Sequence, residues 1–496
     1  MEQVDTLIVG AGASGAVLAN RLSADSDHSV LLLEAGPDYM PEQLPADLAN
    51  GKKNAMVSHD WGFMHRPTPY MPLIPLPRGR VVGGSSQVNT CIALRGQPLD
   101  YDEWGLDGWS WEECLPAFKR LENDLDFGDT EEHSGSGPLP VRRHPPSEWR
   151  PWTAAFMEAC DLLGFPHCPD TNAAGSTGFG AHAMNKLDGR RVSAAEAYLT
   201  PDVRARENLT LSPLTMVHRL VYEGSRVVGV KAEYQGRYAT IRAKRVLLCG
   251  GSIATPGILV RSGIGPAADV AHIGAKLKKH VPTIGRLLDH PGNGIFFVPR
   301  GIDVSPSDPI IQCVLQTKVG NGPYTNDLQI QAGNIIPTKW KTFTGVMLMA
   351  SLQKPAHVGR VRIVSPDPRV RPHVQSALNA NQPDRELSLR GIELLRDLAN
   401  TKAMRKLGRC VYPTRPVLRS RRLLKRWIPT ASDSGYHPSG TVPMGSATDA
   451  RGRIEGIDGL RICDASLFPT IPSSNIHIPT LMVAERFAQW LSIDRD

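Results

Sequence analysis

Apolar residues run together at positions 4–10 (VDTLIVG), recur at helical spacing through AVLANRLSAD at Val17, Leu18 and Leu22, and run together again at 30–33. A short continuous apolar run reads as a buried strand, and a three-to-four spacing marks one face of a helix. The opening is therefore strand, glycine turn, helix, strand. Residues 207–250 break into short apolar runs that predict a β-meander, rejoining a parallel sheet at 246–249. A helix is expected at 154–163, strands at 327–332 and 343–352, and helices near 384–407. A last strand at 460–463 precedes a closing helix from Pro479, with Leu481, Ala484, Phe487 and Leu491 on one stripe. Residues 37–80 carry many prolines and no sustained period, which predicts an ordered excursion over a ligand.

The first turn is Gly10-Ala-Gly12-Ala-Ser14-Gly15, and the second strand ends at Glu34, 19 positions beyond Gly15. That arrangement is the dinucleotide-binding unit. Gly10 makes the tight turn, Gly12 admits a pyrophosphate, Gly15 lets helix pack on strand, and Glu34 accepts from a ribose hydroxyl. The chain leaves this α/β character near residue 293 and returns to it after 430, so two interleaved domains are expected. Residues 1–150, 170–292 and 431–496 form a Rossmann-like cofactor domain. Residues 151–169 and 293–430 form an α+β substrate-binding domain, an antiparallel sheet flanked by helices.

Composition narrows the class. With 496 residues, 41% hydrophobic and 21% charged, and no run of 18 apolar residues, the chain reads as a soluble, cytoplasmic globular protein without an integral membrane segment. Eight scattered cysteines without a C-x-x-C pair argue for reduced thiols, with neither disulfide nor metal expected. The net charge of +7 is dispersed except for RSRRLLKR at 419–426. That run reads as a solvated face, with a peripheral contact to an anionic membrane as the alternative, and it lacks the aromatic interleaving of a nucleic-acid binder.

Residues 79–102, GRVVGGSSQVNTCIALRGQPLDYD, place glycines beside Ser85, Ser86 and Asn89, a loop able to touch a flat polar ligand. This segment resembles the first signature of the glucose-methanol-choline (GMC) flavin oxidoreductases, and GSIATPGILVRSGIG at 251–265 resembles the second. YHPSGTVPMG at 436–445 and LRICDASLFPTIPSSNIHIPTLMVAER at 460–486 are similar to the family's catalytic and flavin-binding tail. The resemblance implies FAD in the glycine-turn site. It places Gly10, Gly12, Ser14 and Gly15 at the pyrophosphate, Glu34 at the adenosine ribose and Val217 near the adenine. Gly84, Ser85 and Asn89 fall beside the flavin and ribityl chain, Asp464 and Ala465 at the pyrophosphate and ribityl end, and His477 and Pro479 at the pyrimidine edge. Members with covalent FAD of the choline-oxidase kind carry His where this chain has Val88, so the resemblance implies non-covalent FAD. The family stretch resembling V-G-x-N-L-x-D-H-P is one residue short here, as IGRLLDHP at 284–291, with Asp289, His290 and Pro291 retained.

Oxidising an alcohol requires a base at the hydroxyl and a hydride acceptor at the carbon, flavin N5. The resemblance makes His437 the base and His477 the group that orients the substrate oxygen, since imidazole titrates near neutrality. Pro479 in the first turn would aim the closing helix's N-terminus at the flavin N1/C2=O edge. His28, His59, His133, His218 and His373 are expected to be surface or satisfied core residues, and structural roles are expected of the aromatics Tyr436, Trp61, Phe63, Trp340 and Trp427, with pocket lining as their alternative. The expected activity is FAD-dependent oxidation of a primary aromatic, furanic or aliphatic alcohol, with O2, a quinone or another redox carrier taking the electrons. The alternative is an FAD-containing lyase, hydroxynitrile lyase-like or photodecarboxylase-like, on the same scaffold.

Overall fold

The computed structural model describes residues 3–55, 57–336 and 344–493. Its first sheet orders the strands Leu209–Ser212, Val30–Leu33, Val4–Val9 and Arg237–Leu248, all parallel, with Leu460–Ile462 parallel on the far side of Arg237–Leu248. The early half of Arg237–Leu248 also closes an antiparallel meander with Arg226–Tyr234 and Thr215–Glu223. One long strand thus belongs to both the meander and the parallel sheet, as the apolar runs predict. Between Val4–Val9 and Val30–Leu33 runs the helix Ala13–Leu22, packed so closely that a Cβ on Gly15 would fall on the carbonyl of Gly10. Glycine is required there.

The second sheet orders Gly408–Tyr412, Pro291–Pro299, Val346–Leu352, Leu328–Gly333, Ile311–Thr317 and Gly178–Ala181, every pair antiparallel. Leu328, Ile330, Val346, Leu348, Ile295 and Leu315 turn toward the helices Pro151–Leu162 and Gln382–Asn400 and make a separate apolar core. The strand Gly178–Ala181, which the expected division assigns to the cofactor side, is hydrogen-bonded into this sheet. Phe343 and Trp340 lie outside the described residues.

The closing helix runs His477–Ile493, two residues earlier than expected, and it is buried on nearly all sides rather than along one stripe. Its buried Glu485 accepts from Arg21, Arg120 and Tyr198, tying it to the glycine-turn helix. The basic run lies on the exposed side of the helix Arg421–Ala431, where Arg421 and Lys425 pair with Glu386 while Leu424 and Ile428 enter the second core. All eight cysteines are free thiols, and seven are buried. No helix among the described residues is long and apolar enough to cross a membrane.

Candidate active site

A cavity of about 320 Å³ opens at the carboxyl ends of the parallel strands, where open α/β sheets bind ligands. Gly10, Gly12, Ser14, Glu34, Gly84, Ser85, Asn89, Val217, Asp464, Ala465, His437 and His477 all line it. Residues more than 460 positions apart are thus brought to one surface. Gly15 and Pro479 stand behind the wall, the first at the helix–strand crossing and the second buried in the first turn of the closing helix.

The glycine-turn end suits a dinucleotide. The helix Ala13–Leu22 starts without a side-chain cap, so its first N–H groups are open to an anion. Gly12 and Gly84 approach so closely that a Cβ on Gly84 would lie 2.8 Å from the Gly12 Cα. The Glu34 carboxylate accepts from the backbone N–H groups of Ala11 (3.0 Å) and Gly36 (2.8 Å), and burial pushes its pKa up to about 7. Ser14 Oγ, Ser252 Oγ and His477 Nε2 are buried on this cavity and have no partner among the described residues. Unpaired buried polar atoms are costly, and a bound polar ligand removes the cost. Asp464 contributes differently, because its carboxylate is already held by Gly251 N–H, Thr255 Oγ1 and Ser466 N–H. It braces the wall.

At the other end stands His437. The Nδ2 of Asn475 donates to His437 Nε2 at 3.0 Å, and Gln329 Nε2 lies 3.4 Å from Asn475 Oδ1. An amide nitrogen can only donate, so Nε2 is the acceptor and the proton of neutral His437 resides on Nδ1. That proton is donated to His290 Nδ1, 2.9 Å away, with the two rings edge to face. Burial and then the Arg78 charge hold the His437 pKa down at about 3, so the imidazole is neutral at pH 7.

The backbone around this histidine is also specified. Asp289 Oδ1 accepts from the N–H groups of both His290 (2.8 Å) and His437 (3.0 Å), while Ser434 Oγ donates to its other oxygen. Tyr436, immediately before His437, has φ of +63°, a left-handed conformation that costs a non-glycine residue on the order of 1 kcal/mol. Ser434 Oγ accepts its N–H, and Arg78 Nη1 donates to its carbonyl at 2.9 Å. These contacts hold the strained residue.

His477 lies on the same cavity at the first position of the closing helix, neutral, with burial and then Arg191 lowering its pKa to about 4. The residue hydrogen-bonded to His437 Nε2, however, is Asn475, two positions earlier. Sequence reasoning passed over Asn475, Arg78 and His290 as site residues. The first lies inside the quoted tail and the second is adjacent to the first signature. Trp61, Phe63 and Tyr436 line the cavity, the first two stacked with centroids 5.7 Å apart, whereas Trp427 packs beside Tyr412.

Two matched sequence models cover residues 4–282 and 355–484, and both describe GMC oxidoreductases. The chain belongs to the GMC oxidoreductase family. This GMC oxidoreductase binds FAD and acts on CH–OH donors. It is 35% identical to an oxygen-dependent choline dehydrogenase of Chromohalobacter salexigens, over 98% of this chain and 94% of the relative. It is 32% identical to a 5-(hydroxymethyl)furfural oxidase of Methylovorus sp., over 98% of each. Among solved structures, pyridoxine 4-oxidase from Mesorbium loti superposes with a TM-score of 0.92 at 30% identity over 99% of both chains. Nothing in these relatives supports the lyase alternative.

A second cluster, Glu122, Asp124 and His133, brings potential metal ligands together away from the cavity. Its oxygens are already engaged, by Arg95 and His133 at Glu122 and by Arg143 at Asp124, with Asp170 bridging Arg143 and His133. Three carboxylates thus face Arg95, Arg143 and a His133 whose pKa is raised to about 10 within burial, by Asp124, Asp170 and Glu122. It is a buried ion-pair network.

Proposed function

We propose that this enzyme oxidises a primary alcohol to the aldehyde, with His437 as base and Asn475 as the group that orients the substrate oxygen. The observation that carries the reading is the hydrogen-bond chain from Asn475 through His437 to His290, which leaves a neutral imidazole with its Nε2 lone pair on the Asn475 side. Bound FAD supplies the two-electron acceptor. The alcohol hydroxyl displaces the Asn475 N–H from Nε2 and donates its proton there, while the freed amide donates to the substrate oxygen. Taking up the α-hydrogen as hydride is the chemistry that FAD would supply when bound. His290 accepts from Nδ1–H throughout, which keeps the ring aimed as it becomes cationic.

His477 is assigned to the cofactor rather than to the substrate, because its unpartnered Nε2 sits at the N-terminus of the closing helix, which favours negative charge. The cofactor is held without a covalent bond, since Val88, on the cavity wall, offers no nucleophile. The relatives named above act, by their names, on choline, 5-(hydroxymethyl)furfural and pyridoxine, all compounds with a primary hydroxyl. An anaerobic screen in which primary alcohols bleach the flavin absorption near ~450 nm, followed by admission of air, tests substrate and acceptor together. Reoxidation by air identifies O2 as acceptor, and its absence points to a quinone or other carrier. Flavin that no alcohol bleaches would overturn the proposal.

A further inference from the structure

Between Asp397 and Asp433 the chain carries ten lysines and arginines and no carboxylate, a charge that exceeds the net +7 of the whole protein. The remainder is therefore net negative, and the positive charge is gathered on one segment. That segment folds as the helix Lys402–Leu407, the strand Gly408–Tyr412 at the edge of the antiparallel sheet, and the helices Arg415–Arg419 and Arg421–Ala431. Arg421 and Lys425 are answered by Glu386 and Glu393. The other eight cations are exposed and pair with no carboxylate among the described residues. Like charges gathered in this way repel one another, and an anionic partner relieves that repulsion.

The shape of the surface narrows the partner. In the helix Arg421–Ala431, Leu424 and Ile428 enter the core, which turns Arg422 and Arg426 outward, one turn apart. On the adjoining flank, also one turn apart, stand exposed Leu423 and Trp427, whose indole N–H donates to the hydroxyl of exposed Tyr412 at 3.0 Å. Thr68 Oγ1 donates to the Pro429 carbonyl, which sets a loop carrying exposed Tyr70 and Leu73 beside the end of the helix. Cations edged by leucine, tryptophan and tyrosine match the interface of an anionic bilayer, with guanidinium groups at the phosphates and apolar groups at the acyl boundary. Nucleic acid offers phosphates but no apolar layer for Leu423, Tyr70 and Leu73. The Tyr412 and Trp427 rings, edge to face with centroids 5.8 Å apart, are closed on each other rather than open to stack a base.

We infer that the face built by Arg415, Arg419, Arg422, Arg426 and Leu423 docks this enzyme peripherally on a membrane surface of anionic phospholipid. The inference stands apart from the alcohol-oxidising reading of the cavity. The test is co-sedimentation of the holoenzyme with vesicles of phosphatidylcholine alone and with about 30 mol% phosphatidylglycerol added. Binding is expected only with the anionic vesicles, weakening as ionic strength rises from about 0.1 M to about 0.5 M. A cation near an anionic surface is worth roughly fivefold in partitioning, so the double variants Arg415→Gln/Arg419→Gln and Arg422→Gln/Arg426→Gln should each lower it about twentyfold. All four side chains are exposed, so flavin content and melting temperature should stay as in the parent. Leu423→Ser should weaken the binding that survives high salt. Equal binding to both vesicle types, binding to neither, or double variants that both partition like the parent would overturn the inference. Retention by a DNA duplex under conditions that leave anionic vesicles free would also overturn it and assign the face to nucleic acid.

Discussion

The two sheets bury their strands in different ways. In the parallel sheet, Leu7–Val9, Val30–Leu33 and Val246–Leu248 are buried without interruption, because a helix or chain segment covers each face. In the antiparallel sheet, Leu328, Ile330 and Ala332 face helices while Gln329 and Gln331 face the other way, yet all are buried. The first sheet spends its buried faces on packing and delivers function from its loop ends. The second uses one whole face for packing and the other for polar contacts near the chemistry. Substitutions should therefore act on cofactor retention in the first body and on turnover or selectivity where the two bodies meet.

The largest effect should come from the cofactor side. Gly15→Val puts side-chain atoms onto the Gly10 carbonyl, and purified protein should carry no flavin or fail to fold. A yellow, stable G15V enzyme would break the assignment of the glycine turn. Next is His437→Ala, which should lower the rate of flavin reduction by alcohols about 10²–10⁴-fold, the usual contribution of a general base, with FAD still bound. Asn475→Ala removes one hydrogen bond at the reacting oxygen and should lower kcat by about 10–100-fold, more than it raises KM. If His477→Ala instead produces the larger loss in alcohol reduction, the pairing of Asn475 with His437 is structural and the roles revert to the order expected from sequence.

A smaller effect concerns pH. His437 and His182 are held at about 3, and His144 and His477 at about 4, in each case by burial first. The unfolded chain takes up these protons from about pH 6.5 downward, while the folded chain refuses them. Stability present above pH 6.5 is thus lost as pH falls toward 4 and 3, by up to about 1.4 kcal/mol per pH unit for each histidine. His133, raised to about 10, acts oppositely, and its contribution is lost as pH rises from about 6.5 through 10. The melting temperature of the holoenzyme should accordingly fall on acidification from pH 7 to 5, and a flat profile would contradict the buried, neutral state of these rings. The smallest expected signal is a negative one. Denaturation should release all FAD into the filtrate, and flavin remaining on the chain would contradict the reading of Val88.

Much of the cofactor body was legible because its chemistry is local. Gly10, Gly12 and Gly15 act through backbone geometry and Glu34 through its carboxylate, all within one strand–turn–helix–strand unit. The closing helix was legible in kind but not in its start, since Pro479 fits the first turn equally well at its third position as at its first. Asn475 was within the quoted tail, yet an amide between two serines and an isoleucine carries no pattern that distinguishes it from a turn residue. Arg78, Asp289 and His290 had motif neighbours but no visible partner, because their partners lie on a segment about 150 or more positions away.

The sequence by itself determined the parallel core and the glycine turn with its acidic terminus, since continuous apolar runs and fixed local spacings survive reading one chain at a time, whereas His437 was singled out only by resemblance to a family tail. Only the tertiary structure decided that Asn475 rather than His477 meets His437, that Ser434 and Arg78 hold a strained Tyr436, and that Gln329 reaches Asn475. Alternation assigns a residue to a face of its strand, but what that face meets depends on the register of strands distant in sequence and on how the two bodies close over the cavity.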